Sequence, residues 1–251
     1  MKAIILAAGM GRRIAAMGWH KPKCLLPCPG GTLLDNAMRA IASAGISDVV
    51  LVTGFEHAQV EAAALVHPIN FGFVHNPEFG STNTQFSAYL ARKHMHGGFL
   101  LLNADVWFVP DVLTRLRDAA ESRHAGGALA VQRKACGSEE VKVMLDQSNR
   151  VVRIGKDLDT TDSAGEYVGI GWFGQLSAAS IARQLEKEHD KSGSRVRFVE
   201  SAFDGVLAAD AMIGVEIGLA EAIEIDTPAD FEAACDLWHS ADLTTTRIKA
   251  R

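Results

Sequence analysis

The chain has 251 residues, of which 48% are hydrophobic, and its formal net charge is −5. This apolar share can bury a sizeable core, and the acidic balance argues against a surface that binds nucleic acid. No apolar run approaches the roughly 20 residues that span a bilayer, so we expect no membrane insertion. The four cysteines lack a zinc-like spacing with histidines, and we expect reduced thiols in a cytoplasmic protein.

The first half of the chain alternates strand-like and helix-like segments. Short apolar runs predict strands over residues 2–8, 48–53, 69–75 and 99–102. Helical periodicity predicts helices over residues 32–44, 56–66, 84–94 and 110–123, the first of them capped by Thr32 and stopped by Gly45. We therefore expect an α/β fold with a Rossmann-like, mostly parallel central sheet flanked by helices.

The alternation of predicted strands and helices ends after Gly126-Gly127. Consecutive short strands are predicted over residues 129–132, 140–145, 151–154 and 167–173, so residues 126–175 form a β-rich insertion. Two helices (178–189 and 198–209), a strand (214–217) and a last helix from Pro228 follow. We expect one compact domain over residues 1–239 and a frayed tail over residues 240–251.

A glycine turn follows the first predicted strand and is followed by several cations. The run is Leu6-Ala7-Ala8-Gly9-Met10-Gly11-Arg12-Arg13, with Lys21-Pro22-Lys23 further on. Glycines let backbone N–H groups approach a phosphate closely, while Arg and Lys add positive charge. No Walker loop is present, and Ile14 stands where a dinucleotide fingerprint needs its third glycine. The turn therefore predicts a polyphosphate cradle; the alternative is a solvated basic loop.

These residues resemble the nucleotidyltransferases that make sugar nucleotides and related activated head groups. The glycine run resembles their Leu-Ala-Ala-Gly-x-Gly-x-Arg motif, and Pro22-Lys23 resembles their downstream Pro-Lys. Asn103-Ala104-Asp105 resembles their metal-binding aspartate at a strand end. Residues 224–231, Glu-Ile-Asp-Thr-Pro-Ala-Asp-Phe, resemble their late Glu-Ile-Asp-Thr-Pro-x-Asp segment.

Further segments resemble one branch of that family, the phosphocholine and phosphonate cytidylyltransferases. They lie at residues 76–79, 81–83, 141–143, 155–158 and 165–170. The glycine-rich stretch that several sugar-specific members carry near Asn83 is missing here, which disfavours a sugar phosphate without excluding it.

The resemblance implies roles for the residues that match it. Arg13 would bind the leaving pyrophosphate, and Lys23 would contact the α-phosphate and the attacking oxygen. The nucleotide would lie against Leu6, Ala7, Ala8, Gly9, Met10, Gly11, Thr82, Asn83, Asn103 and Ala104, although Thr82 is equally suited to capping a helix. Asp105 and Asp226 would hold Mg²⁺, and Glu224, two residues before Asp226 on the same strand face, is a third carboxylate. The alternative for the aspartates is two unrelated turn residues.

The β-rich insertion would form the acceptor lobe. Lys142 and Lys156 are candidates to hold the acceptor phosphate, although either could be a solvated strand lysine. A cationic head group needs a carboxylate and an aromatic face, for which the candidates are Glu166, Glu200, Trp172 and Trp107. Trp172 lies on the opposite strand face from Tyr167 and Phe173, so the three cannot line one wall.

We therefore predict Mg²⁺-dependent transfer of a CMP group from CTP, or the equivalent from UTP, to a small phosphorylated or phosphonylated acceptor of the phosphocholine or aminoalkylphosphonate type. Pyrophosphate is the other product. The alternatives are a sugar-1-phosphate uridylyl- or cytidylyltransferase and a nucleotide-binding regulatory module without turnover. We expect a monomer or a homodimer.

Overall fold

The computed structural model describes residues 1–249, with side chains as far as residue 239. The strands are β1 (Lys2–Ala7), β2 (Pro27–Cys28), β3 (Gly31–Thr32), β4 (Asp48–Thr53), β5 (Asn70–His75), β6 (Phe99–Asn103), β7 (Val106–Phe108), β8 (Gly127–Gln132), β9 (Lys142–Leu145), β10 (Val151–Gly155), β11 (Gly165–Phe173), β12 (Met212–Glu216) and β13 (Ala222–Glu224). The helices are α1 (Leu33–Ser43), α2 (His57–Ala64), α3 (Thr84–Ala91), α4 (Asp111–Ser122), α5 (Gln175–His189), α6 (Glu200–Asp204) and α7 (Pro228–Lys249).

The first apolar run of the chain forms β1, which lies in the interior of the central sheet. In the described part of the chain the strand order is β10-β9-β11-β6-β1-β4-β5, and β8 and β12 continue from β11. The pairs β1–β4, β1–β6, β4–β5 and β8–β12 are parallel, while β11 runs antiparallel to β6, β8 and β9. The predicted Rossmann-like α/β fold is confirmed, and the antiparallel strands extend the same sheet.

β1 shows why a continuous apolar run is needed at this position. Its side chains alternate between the two faces of the sheet, so Ile5 packs into one core cluster and Ile4 into the other. Helices cover both faces, and no position of β1 after Lys2 is exposed. The buried β1 consequently delivers the glycine turn to the carboxyl edge of the sheet, where open α/β sheets bind their ligands.

The predicted β-rich region is continuous with the central sheet. The nine-residue β11 pairs with β9 at its start and with β6 at its end, and β8 lies along its other edge. This arrangement places the start of β11 beside the carboxyl edge that carries the glycine turn. The short strands β2, β3 and β7 were not predicted, because two or three residues are too few to show an alternating pattern. β13 agrees with the strand on which Glu224 was placed.

Two predicted helices are shorter than expected. The prediction over residues 198–209 is wrong beyond α6, because Gly205 follows and residues 205–209 form turns. The helix predicted over 84–94 ends at Ala91 and continues as a 3₁₀ turn, Arg92–His94. For the predicted frayed tail, the backbone of α7 runs to Lys249; residues 250–251 and the side chains of 240–249 lie outside the described residues, so fraying stays a prediction.

Candidate active site

A cleft of about 580 Å³ opens at the carboxyl edge of the sheet, and the glycine turn forms one wall of it. Gly11 has a φ of +59°, and a Cβ there would lie 2.7 Å from Cγ of Lys23. The glycine thus allows both the left-handed turn and the close packing of Lys23 against it. Gly54 likewise permits contact with the turn, because a Cβ added at this position would lie 2.6 Å from the carbonyl oxygen of Ala8.

Lys23 lies between two carboxylates that are distant in sequence. Its Nζ is 2.7 Å from Oδ2 of Asp105 and also contacts Oδ1 of Asp226. Burial disfavours the charged ammonium, but the charges of Asp105 and Asp226 outweigh it, so the pKa of Lys23 is raised. Lys23 is therefore a fixed cation inside the cleft.

Asp105, Glu224 and Asp226 form a carboxylate cluster in which one oxygen from each residue lies within 4.8 Å of the other two. Pairing of β7 with β13 places Glu224 opposite Val106, and the Ile225 N–H donates to the Asp105 carbonyl at 3.0 Å. Burial raises the pKa of Glu224 well above its ordinary range, and the Asp105 and Asp226 charges raise it further. Three carboxylates this close together supply the hard oxygen ligands and the negative charge that suit a divalent cation such as Mg²⁺.

Arg13 extends the cationic wall of the cleft toward solvent. Its Nη2 is 2.6 Å from Oδ2 of Asp226, and its Nη1 is 3.7 Å from Oε2 of Glu139. Burial opposes ionisation of Asp226, but Lys23 first and Arg13 second hold the pKa of that carboxyl below its ordinary value. Arg13 is half-exposed and can turn toward a phosphate that enters the cleft.

The cleft brings together all but one of the residues predicted to lie against the nucleotide. Met10 is the exception among them; Leu6, Ala7, Ala8, Gly9, Gly11, Thr82, Asn83, Asn103 and Ala104 line it. Asn83 caps α3 by accepting the Thr84 N–H at 2.8 Å. Thr82 Oγ1 accepts from Asn76 Nδ2 at 3.1 Å and donates to the Glu78 carbonyl at 2.8 Å. Both side chains therefore have structural partners.

The structure places some of the candidates for acceptor binding in the cleft and others outside it. Lys156, Glu166 and Glu200 line the cleft. Lys142 does not, because it is buried and its Nζ donates to the carbonyls of Gly137 at 2.9 Å and Glu140 at 3.2 Å. The structure corrects the expectation that Lys142 holds an acceptor phosphate, because its ammonium already donates to two carbonyl groups of the loop before β9.

Neither tryptophan candidate reaches the cleft, which corrects the expectation of an aromatic face there. Trp172 is buried in the core cluster on the face of β11 opposite Phe173, as its strand parity predicts. Trp107 packs edge-on against Trp238 at a centroid distance of 5.9 Å. The aromatic rings that line the cleft among the described residues are Phe79, Tyr167 and Phe198.

Lys134 was not predicted, although it lines the cleft and its Nζ lies 2.6 Å from Oε2 of Glu166. Burial raises the pKa of Glu166, and Lys134 acts against that rise. The only sequence signal for this pair is that Glu166 lies in β11 and Lys134 follows β8 by two residues, and that these strands pair with Glu166 opposite Gln132. Among the described lining residues, eight are acidic and four are basic, so the lining favours a ligand that carries positive charge.

Comparison with known proteins agrees with this arrangement. The family model of the MobA-like NTP transferase domain matches residues 3–196. The CMP-5'-(3-aminopropyl)phosphonate synthase of Streptomyces rubellomurinus is 35% identical over 124 residues, 49% of this chain and 20% of that protein. The 2-aminoethylphosphonate cytidylyltransferase of Lancefieldella rimae is 25% identical over 233 residues, 92% of this chain and 90% of that protein. The chain thus spans a fifth of the first relative and most of the second.

Solved structures share the fold along nearly the whole chain. The CTP:phosphocholine cytidylyltransferase of Streptococcus pneumoniae superposes with a TM-score of 0.76 at 18% identity, covering 92% of this chain and 96% of that one. The inositol-1-phosphate CTP transferase of T. maritima gives a TM-score of 0.75 at 20% identity, covering 94% and 95%. At these identities the similarity establishes the fold alone.

Proposed function

The chain belongs to the family of MobA-like NTP transferase domains, and we propose that it transfers the CMP group of CTP to a small phosphorylated or phosphonylated acceptor. The observation that carries the proposal is the position of Lys23, between Asp105 and Asp226 and packed against the glycine turn. A fixed cation, a phosphate-binding turn and a metal-binding carboxylate cluster in one cleft are the parts that phosphoryl-type transfer requires.

In the proposed reaction an oxygen of the acceptor phosphate or phosphonate attacks the α-phosphorus of CTP. The new P–O bond forms as the bond to the bridging oxygen of the β-phosphate breaks, and pyrophosphate leaves with that electron pair. Lys23 stabilises the negative charge that develops at the α-phosphate, and Arg13 binds the leaving pyrophosphate. Mg²⁺ held by Asp105, Asp226 and Glu224 would supply charge neutralisation at the phosphates. The acceptor itself is the nucleophile, so the proposal assigns no covalent step to the protein.

Lys156 is proposed to hold the anionic end of the acceptor. It lines the cleft, and its charge contributes to the lowered pKa of Asp226 and opposes the burial that raises the pKa values of Glu166 and Glu200. It therefore lies within electrostatic range of all three carboxyls. The acidic excess of the cleft favours an acceptor that also carries a cation. The names of the relatives agree with such an acceptor, since they include aminoalkylphosphonates and phosphocholine.

The experiment is a pyrophosphate-release assay with CTP, UTP and other nucleotides against aminoalkylphosphonates, phosphocholine and several sugar 1-phosphates. We expect release with CTP and an amine-bearing acceptor, loss of release with a chelator, and recovery with Mg²⁺. A preference for a sugar 1-phosphate would favour the alternative, a sugar-nucleotide synthase. Binding of CTP without release in any combination would favour a regulatory module.

We also propose a cytoplasmic location, which the four unpaired cysteines support. No helix in the described part of the chain is long and apolar enough to cross a membrane. The expectation of a monomer or a homodimer stays a prediction, which size-exclusion chromatography with light scattering would test.

A further inference from the structure

Three buried polar atoms of residues that line the cleft have no hydrogen-bond partner among the described residues: Oδ1 of Asn103, Oε2 of Glu200 and the hydroxyl of Tyr167. Glu200 and Tyr167 are only 3% and 2% exposed. A buried polar atom left without a partner costs about 1–3 kcal/mol, so such atoms are rare and call for an explanation. Their position on the cleft wall makes them candidates to bind a polar ligand.

The Glu200 and Tyr167 oxygens are both held by regular structure. Tyr167 lies in β11, and its ring meets Phe203 of α6 edge-on at a centroid distance of 6.3 Å. Glu200 begins α6, and Asp204 ties the end of that helix to β10 by accepting the Ile154 N–H at 3.0 Å. Both side chains line the same cleft. Burial raises the pKa of Tyr167, and the charge of Glu200 raises it further. The two oxygens are therefore held on ordered elements of one cleft wall.

We propose that Glu200 and Tyr167 form the subsite for a primary ammonium group on the acceptor, and that this subsite selects primary over quaternary ammonium. The inference rests on the proposed function and narrows its substrate class. An ammonium with three N–H donors would satisfy Oε2 of Glu200 and the Tyr167 oxygen together.

Glu200 is better placed for this role than Glu166, the other cleft carboxylate predicted for it. Glu166 is already paired with Lys134 at 2.6 Å, whereas no cation of the described side chains contacts Oε2 of Glu200. Lys156, proposed to hold the anionic end, acts electrostatically on both Glu200 and Asp226. A short acceptor could therefore place its anion at Lys156 and its ammonium at Glu200.

A quaternary ammonium fits this subsite poorly. It donates no hydrogen bond, so Glu200 and Tyr167 would stay unsatisfied, and it binds best against open aromatic faces. The face of Phe198 is occupied by Lys156, whose Nζ lies 4.4 Å from the ring centroid. Phe79 packs edge-on against Phe55 at 6.3 Å, and both tryptophan candidates lie outside the cleft. Tyr167, the third ring of the lining, is only 2% exposed, so among the described lining residues Phe79 alone keeps an uncovered ring, and one ring does not form an aromatic cage.

The test uses three acceptors that differ only at the head group: phosphoethanolamine, phosphocholine and 2-hydroxyethyl phosphate. With CTP and Mg²⁺ we expect kcat/KM for phosphoethanolamine to exceed that for each of the others by about tenfold or more, the scale of one charge-assisted hydrogen bond. In Glu200→Gln the KM for phosphoethanolamine should rise by about tenfold with kcat within about threefold, and the preference should disappear. Tyr167→Phe should weaken the preference without abolishing it.

Glu188→Gln is the matched control, because Glu188 is also a buried glutamate but lies outside the cleft lining. It should retain the preference. Equal use of phosphocholine by the parent protein would overturn the inference, as would loss of the preference in Glu166→Gln but not in Glu200→Gln.

Calorimetric binding to protein saturated with Mg²⁺ and a non-hydrolysable CTP analogue separates this inference from the proposed function. Failure of every acceptor to release pyrophosphate would refute the proposed function, while binding still decides the subsite. Tighter binding of phosphoethanolamine than of phosphocholine, lost in Glu200→Gln, would support it; no such difference would refute it.

Discussion

Lys23 contacts two of the three carboxylates in the cluster of Asp105, Glu224 and Asp226. Its ammonium is held by Asp105 and Asp226, and Asp226 also binds Arg13, so one carboxylate organises both cations. This arrangement resists rotation of the Lys23 side chain and keeps its charge in place before a nucleotide enters. Preorganised charge is the main contribution that a protein makes to transfer of a phosphoryl-type group.

Replacing Lys23 should therefore affect turnover strongly. We expect Lys23→Ala to lower kcat by about a hundredfold or more, because one preorganised electrostatic contact is worth about 3 kcal/mol. Steady-state pyrophosphate release at saturating substrates measures it. Lys21→Ala is the control, since Lys21 is exposed and lies outside the cleft lining. A Lys23→Ala rate within about threefold of the parent would contradict its assignment to the chemical step.

The carboxylate cluster makes a separate prediction about metal. Asp105→Asn preserves shape but removes an anionic oxygen ligand, so the Mg²⁺ concentration for half-maximal rate should rise and the maximal rate should fall. A Mg²⁺ titration of activity measures both. Asp48→Asn and Asp118→Asn, outside the cleft, should match the parent. Equal losses in all three variants would show a general loss of stability instead.

At the scale of elements, the start of α7 positions the carboxylate cluster. Oδ2 of Asp230 accepts the Asp226 N–H at 3.0 Å and the Thr227 N–H at 2.7 Å, which fixes the backbone of the metal candidate Asp226. Thr227 Oγ1 accepts the Asp230 N–H at 3.3 Å in return. This reciprocal pair is a capping box, and it joins the stability of α7 to the geometry of the site.

Asp230→Ala should consequently lower both stability and activity. Loss of the cap should reduce the free energy of unfolding by about 1 kcal/mol, and displacement of Asp226 should reduce turnover as well. Urea unfolding and pyrophosphate release measure the two effects. Asp35→Ala removes the equivalent residue of the capping box in α1, away from the cleft, and should lower stability alone. Full activity of Asp230→Ala would show that the cap does not position Asp226.

At the scale of the whole molecule, the buried carboxyl of Glu200 links stability to pH. Burial raises the pKa of Glu200 from 4.5 to about 7, and its own backbone N–H and Lys156 oppose the rise. The folded state therefore keeps the proton more tightly than the unfolded state does. The resulting stabilisation is complete below about pH 4.5 and is lost as the pH rises through about 7.

The parent protein should thus lose stability relative to Glu200→Gln between pH 5 and 8. Since each pKa unit corresponds to about 1.4 kcal/mol, the difference in unfolding free energy should change by up to about 3 kcal/mol. Urea unfolding of both proteins across this range measures it, and groups that titrate alike in the two proteins cancel. A constant difference would mean that Glu200 is ionised throughout the range.

The sequence alone determined the features of this protein that depend only on residues close together in the chain. Apolar runs predicted β1, β4 and β6, and Thr32 predicted the start of α1. The glycine turn predicted a phosphate cradle, which stays a prediction. These features need only a side-chain period, a capping hydroxyl or a left-handed backbone, all of which are local. The resemblance to nucleotidyltransferases rests on the same short segments.

Only the tertiary structure decided which distant side chains meet. Lys23 and Asp226 are 203 residues apart, and the register of β13 on β7 brings the carboxylates together. The structure likewise shows that Lys142 bonds to carbonyl groups of a loop, that Lys134 lines the cleft, and that Oε2 of Glu200 has no hydrogen-bond partner among the described residues. Strand register and packing govern these contacts, because the same side chain can face a cleft, a core or a neighbouring carbonyl without any change in its local pattern.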